Sequence, residues 1–186
     1  ARAYNHVWPR SSRGFDENFQ WTVERIRAVN GILKENGVAY GLEFLGPHGL
    51  RRLAGRQFVH SLSGVLALAD AAGGGVGIAF DTFHWYCSQN GAMDDVALME
   101  QHIDRLVALH INDGVPGRDF SAQQDMERRL PGETGVIDAR AVLERFKRRG
   151  SGALYMVEPF EPWRARLGAM TAEEAVSVVA GAIGPD

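Results

Sequence analysis

The stretch GIAFDTFHWY, residues 77 to 86, opens as an apolar run suited to a buried strand and ends abruptly in Asp81, with His84 three residues later. Three other runs share its make-up: VAYGLEFL (38–45), RLVALHI (105–111) and ALYMVEPF (153–160). Each is short and rich in β-branched or aromatic residues. Each is also nearly continuous in its hydrophobicity, the pattern of a parallel strand covered on both faces. Segments of helical period lie between them. Residues 15–37 put Phe19, Val23, Ile26, Val29 and Leu33 on one face and stop at Gly37, and residues 61–75 end on glycines in the same way. Helices are also expected over 93–106, 138–150 and 171–184, the last opening on Thr171 and Glu174 at capping-box spacing. Strict alternation of helix and strand argues a parallel α/β fold, either an open doubly wound sheet or a barrel.

Composition narrows the function. The chain has 186 residues, 45% of them hydrophobic, and a formal net charge of −3. One domain over 1–186 is expected. With no basic field and no Lys/Arg run, nucleic acid and membrane surfaces are poor partners, and a small neutral molecule fits better. A single cysteine, Cys87, excludes an internal disulfide framework and any CxxC zinc module, which favours a cytoplasmic setting. No GxGxxG or GxxxxGK[ST] follows a strand, which counts against a nucleotide-binding unit. The stretch 113–135 reads as one long, functional βα loop.

Each strand ends in a group able to bind a cation: Glu43, then Asp81, then His110 (with Asp113), then Glu158. The carboxyl ends of parallel strands line the active site of α/β folds, so these groups are expected to converge. Three carboxylates in one apolar pocket resist ionisation unless a divalent cation neutralises them. Two Glu, one Asp and one His suit Mn²⁺, Mg²⁺, Co²⁺ or Zn²⁺. Taken singly, Asp81 could equally cap the next helix. His84, placed in the loop after the strand, is either a hydrogen-bonded wall or a ligand. His48, His60 and His102 read as surface or capping residues, and His6 is left undecided.

The strand end LEFLGP, the stretch DTFHWY, then HINDG, RRLPGETGVID and VEPF resemble, in that order, the xylose isomerase-like superfamily of sugar phosphate isomerases and epimerases, in the branch with inosose isomerase. The resemblance runs over nearly the whole chain. It implies a (β/α)8 TIM barrel with one divalent metal ion held by Glu43, Asp81, His110 and Glu158. It further implies that Glu43 and Glu158 move a proton next to a substrate carbonyl, and that His84 and an arginine after the metal histidine hold substrate oxygens. Arg129 is the first choice for that arginine and Arg118 the second. Trp85, Phe83, Trp8 and Trp163 are candidates to stack on a sugar or exclude water, with core packing the alternative. The family's PGEG loop is one residue longer here, running Pro131-Gly132-Glu133-Thr134-Gly135, so Glu133 is a substrate-binding candidate in a changed setting.

The implied activity is isomerisation or epimerisation of a sugar or cyclitol through an enediolate. A dehydratase of a keto-cyclitol on the same site is the alternative, and a non-catalytic binding protein is the rival from another class. The related abasic-site endonuclease chemistry needs more histidines and a DNA-binding surface. A barrel takes about 250 residues, and only four strands plus a fifth at 3–7 are visible. The chain is therefore expected to cover the C-terminal part of a barrel, about strands 4 or 5 to 8. A missing segment, or a second copy in a homo-oligomer, would then close it.

Overall fold

The structure, a computed structural model, describes residues 1–184. Five parallel strands form one sheet in sequential order: β1 (Arg2–Val7), β2 (Ala39–Phe44), β3 (Val76–Asp81), β4 (Leu106–His110) and β5 (Leu154–Met156). Between them run α1 (Phe15–Glu35), α2 (Leu62–Ala72), α3 (Thr82–Gln89), α4 (Met93–Gln101) and α5 (Ala139–Arg148); α6 (Trp163–Gly168) and α7 (Ala172–Ile183) follow β5. The sheet curls strongly. The Tyr4 ring on β1 reaches within 4.8 Å of the His110 ring on β4, although two strands lie between them in the sheet order. The arc is that of a barrel rather than a flat doubly wound sheet.

Strand alternation explains the apolar runs. Tyr40, Leu42, Phe44, Ile78, Phe80 and Leu109 face outward and join Leu62, Val65, Leu68, Val142 and Phe146 of α2 and α5 in one buried core. The residues between them face inward and are Gly41, Glu43, Gly77, Ala79, Asp81, Ala108 and His110. The runs look continuous because the inward positions are mostly Gly and Ala. Phe80 is central, with Phe44, Trp85 and Phe146 rings at 6.0, 6.3 and 5.5 Å.

A bulge sits beneath the site. Ile78 pairs with Leu106 and Ala79 with Ala108, so Val107 is the extra residue. A Cβ added at Gly41 would lie 3.2 Å from the Val107 Cβ, and one at Gly77 would collide with Val107 and the Arg105 carbonyl. These two glycines make room for the bulge, which floors the inward face.

The ends of elements differ from the sequence expectation in three places. The segment after Asp81 is not a loop: α3 begins at Thr82, and the Asp81 carboxylate caps it by accepting from the Phe83 N–H at 2.7 Å. Helix α4 stops at Gln101 and a 3₁₀ turn, Ile103–Arg105, leads into β4. Strand β5 is three residues long rather than eight. Beyond Met156 the chain leaves the ladder, and the Glu158 N–H donates to the Asn112 side chain at 3.1 Å instead of to a strand.

The long loop 113–135 is held by Asp113. Its carboxylate accepts the backbone N–H groups of Gly114, Thr134, Gly135 and Ile137 at 2.7 to 2.9 Å. A two-residue parallel ladder pairs Glu127–Arg128 with Glu161–Pro162, tying the loop to the segment after β5.

At the C-terminal end no residue of α7 is buried, and Ala175, Val176, Val179, Ala180 and Ile183 line an open apolar groove. No helix among the described residues is long and apolar enough to cross a membrane.

Candidate metal centre

The inward rows of β2, β3 and β4 deliver Glu43, Asp81 and His110, each fully buried, and the turn after β5 delivers Glu158 with its side chain 26% exposed. One ligand atom from each of the four lies within 4.8 Å of every other. The His110 Nδ1 is the converging point, at 3.0 Å from Glu43 Oε1, 3.6 Å from Glu158 Oε2 and 3.9 Å from Asp81 Oδ2.

Arg128 stands against the cluster. Its Nη1 donates to Asp81 Oδ2 at 2.8 Å and to Glu158 Oε2 at 2.6 Å, and its Nη2 donates to His84 Nε2 at 3.3 Å and to Asp125 Oδ1 at 3.1 Å. A guanidinium can only donate, so His84 accepts through Nε2 and carries its proton on Nδ1, which lies 3.9 Å from Asp125. Asn112 supports the arrangement from below: its amide donates to Asp81 Oδ1 at 3.1 Å while its carbonyl accepts the Glu158 N–H.

The electrostatics follow from this crowding. Burial pushes Glu43 upward, but the imidazoles of His110 and His6 more than offset it and hold the carboxyl below its usual range. Burial likewise opposes ionisation of Asp81, and the Arg128 guanidinium overrides it. Burial lowers His110, yet Glu158 and Glu43 raise it to about 10. His84 is lowered by burial, in keeping with a neutral ring. Three carboxylates thus face one guanidinium and one imidazolium.

These residues fit a cation. Both Glu43 carboxylate oxygens and both His110 ring nitrogens are buried with no aligned hydrogen-bond partner among the described residues, although they crowd within reach of one another. Native proteins rarely leave buried polar atoms in that state, and an ion that accepts several lone pairs at once satisfies them.

Residues 2–178 match the family described as Xylose isomerase-like TIM barrel. The chain belongs to that family. No curated protein matches it. Among solved structures it is similar to a xylose isomerase domain protein from Alicyclobacillus acidocaldarius, with 26% identity and a TM-score of 0.73 over 97% of this chain and 65% of that one. It is also similar to the IolI protein with a bound zinc atom, at 21% identity and a TM-score of 0.75 over 97% of this chain and 60% of that one. A third is the 3-keto-D-glucoside 4-epimerase of E. coli, at 16% identity and a TM-score of 0.61 over 92% of this chain and 56% of that one. The chain thus spans 56 to 65% of the length of these three proteins.

Not every residue expected near a substrate in this xylose isomerase-like arc lies there. Arg129 turns away: its guanidinium donates to the Glu161 carbonyl at 3.2 Å and its backbone pairs with Asp113. Arg128 takes the place expected of it, because neighbouring residues of extended chain point to opposite sides. Arg118 pairs with Glu127 at the surface. Trp85 belongs to the core, its ring against Phe80 and its Nε1 donating to the Ala92 carbonyl at 2.9 Å. Glu133 is exposed and accepts from the Leu130 N–H and the Trp163 indole, so it shapes its own loop. Phe83 is buried beneath the Arg128 guanidinium, 5.0 Å from its ring. Trp8 is 49% exposed in the loop after β1. Asp113, fully used by the loop, is no ligand. His60 bonds the Phe58 carbonyl and His102 ends α4, as surface or capping residues do.

Proposed function

We propose that this chain carries the metal site of a sugar or cyclitol isomerase or epimerase that works by proton transfer next to a carbonyl. The observation that carries the reading is the convergence of Glu43, Asp81, His110 and Glu158, with two glutamates flanking an aspartate and a histidine. Those four residues would hold one divalent ion. Mn²⁺, Mg²⁺, Co²⁺ and Zn²⁺ all suit such an oxygen and nitrogen set, and the zinc of the similar IolI protein puts Zn²⁺ first. Once bound, the ion supplies Lewis-acid stabilisation of the negative charge that develops on the substrate oxygens.

The protein groups do the rest. Glu43 and Glu158 come from β2 and the turn after β5, with β3 and β4 between them, so they stand on two sides of the space above Asp81 and His110. One removes the proton and the other returns it, giving epimerisation at the same carbon or isomerisation at its neighbour. The Arg128 guanidinium would supply donors for substrate oxygens, the neutral His84 ring holds it through Nε2, and Asn112 keeps Asp81 and the Glu158 backbone in place. The similar keto-glucoside epimerase supports this class of substrate.

The test is turnover of a panel of ketohexoses and keto-cyclitols in D₂O by the metal-loaded protein. Deuterium at the carbon next to the carbonyl, abolished in Glu158→Gln and in Glu43→Gln, is the expected outcome. Release of water from the substrate would move the protein to the dehydratases, and unchanged activity in both variants would refute the roles given to the glutamates.

A further inference from the structure

His6 stands outside the cluster of four, yet it sits on the inward row of β1 directly beside Glu43, its register partner on β2. The two Glu43 oxygens are divided between two imidazoles. His110 Nδ1 lies 3.0 Å from Oε1, and His6 Nε2 lies 2.9 Å from Oε2. Oε1 therefore lies on the side of His110, the converging point of the cluster, and Oε2 lies against His6. The exposures differ as sharply: the His6 side chain is 52% exposed and that of Glu43 1%. Tyr4, two residues earlier on the same row, brings its ring within 6.3 Å of His6 and 4.8 Å of His110, so it packs near both imidazoles.

We propose that His6 is a positioning residue for the metal site: its ring N–H holds Glu43 Oε2 and so presents Oε1 to the ion. A carboxylate with neither oxygen restrained can rotate, and binding an ion then costs that freedom. A hydrogen bond to the non-ligating oxygen removes the freedom beforehand, which is why groups behind the ligands of metal sites matter to affinity. Neither Glu43 oxygen has an aligned hydrogen-bond partner among the described residues, and His6 Nε2 is the group within reach of Oε2, so a small turn of its ring gives His6 the task.

The inference rests on the metal reading above, and its test uses the metal alone. Mn²⁺ is titrated calorimetrically into the metal-free chain as wild type, His6→Phe and His6→Gln, at one pH. His6→Phe keeps a ring of similar shape without a donor, and is expected to weaken Mn²⁺ binding about 10- to 100-fold. His6→Gln keeps an N–H donor and is expected to recover most of the affinity. The melting temperatures of the three metal-free proteins are expected to agree, which separates positioning from a structural role. Equal affinity of His6→Phe and wild type would overturn the inference, as would a His6→Gln variant as weak as His6→Phe. Two ions per wild-type chain, one of them lost in His6→Phe, would overturn it by making His6 a ligand. A wild type that binds no Mn²⁺ would refute the metal reading itself, and this inference with it.

Discussion

The two sides of the sheet are built differently. In β2, β3 and β4 every residue but Ala39 is buried, and Glu43, Asp81 and His110 project from a floor of glycine, alanine and the Val107 bulge. From Ser151 to Gly184 no residue is buried, and Glu158, the fourth member of the cluster, stands in that segment. Three members of the candidate site are thus fixed by the core, whereas the fourth is fixed by polar contacts, through Arg128 and Asn112. The lesson is that one ion could be held by two kinds of support, packing on one side and hydrogen bonding on the other. Each should fail under different conditions.

The largest effect expected is on the packed side. Phe80→Ala removes a fully buried ring in contact with three other aromatic rings and is expected to cost about 3–5 kcal/mol in denaturant unfolding. A loss under about 1 kcal/mol would mean the central strands are no better packed than the edge. Next comes Asp113→Ala, which strips four backbone N–H groups of their acceptor. An expected loss on the order of 3 kcal/mol should be accompanied by faster proteolysis within 113–135. Stability unchanged within error would show that the loop is held by something else.

A third prediction concerns pH and reads the site directly. In the metal-free chain His110 is raised from 6.5 to about 10, so its stabilising contribution is complete below 6.5 and fades as pH rises toward 10. Glu43 and Asp81 are lowered, so their contributions are present above the usual carboxylate range and lost as pH falls through it. The metal-free protein should therefore be most stable between about pH 5 and 6.5. Metal binding needs the unprotonated imidazole, so affinity should strengthen about tenfold per pH unit between 7 and 9, with about one proton released per ion. Calorimetry in buffers of differing ionisation enthalpy measures that release, and none would mean that the metal-free site does not hold His110 protonated or that His110 is not a ligand. The smallest effect is on the open side: Val176→Ser, 67% exposed, is expected to shift stability by less than about 0.5 kcal/mol. A larger shift would show that the α7 face is covered in solution, and would erase half of the contrast.

The four strand ends were legible in the sequence because a curled sheet leaves its inward positions to small residues and chemistry. Gly, Ala and a single terminal acid or imidazole therefore mark β2, β3 and β4 as plainly as their large outward residues do, whereas Glu158 lies past the end of β5. Less legible was anything decided by the phase of a short segment. Arg128 and Arg129 are adjacent, and only the pairing of Glu127–Arg128 with Glu161–Pro162 and of Arg129 with Asp113 sets which one enters the site. Asp81 does two jobs at once, one oxygen capping the start of α3 and the other facing the cluster, so its cap and ligand readings are not alternatives. Trp85 follows from that start, since the first turn of a helix aims it at Phe80 and not outward. His6 could not be assigned because its partner, Glu43, lies 37 residues further along the chain and meets it only through strand register.

The most direct test of the central claim is the metal content of the purified chain by elemental analysis, compared with that of Asp81→Asn, a substitution that keeps an oxygen to cap α3. Convergence of the strand ends predicts about one divalent ion per wild-type chain, lost or strongly depleted in the variant while the melting temperature of the metal-free protein holds. No ion in the wild type after incubation with Zn²⁺ and Mn²⁺, or equal content in the two proteins, would contradict it.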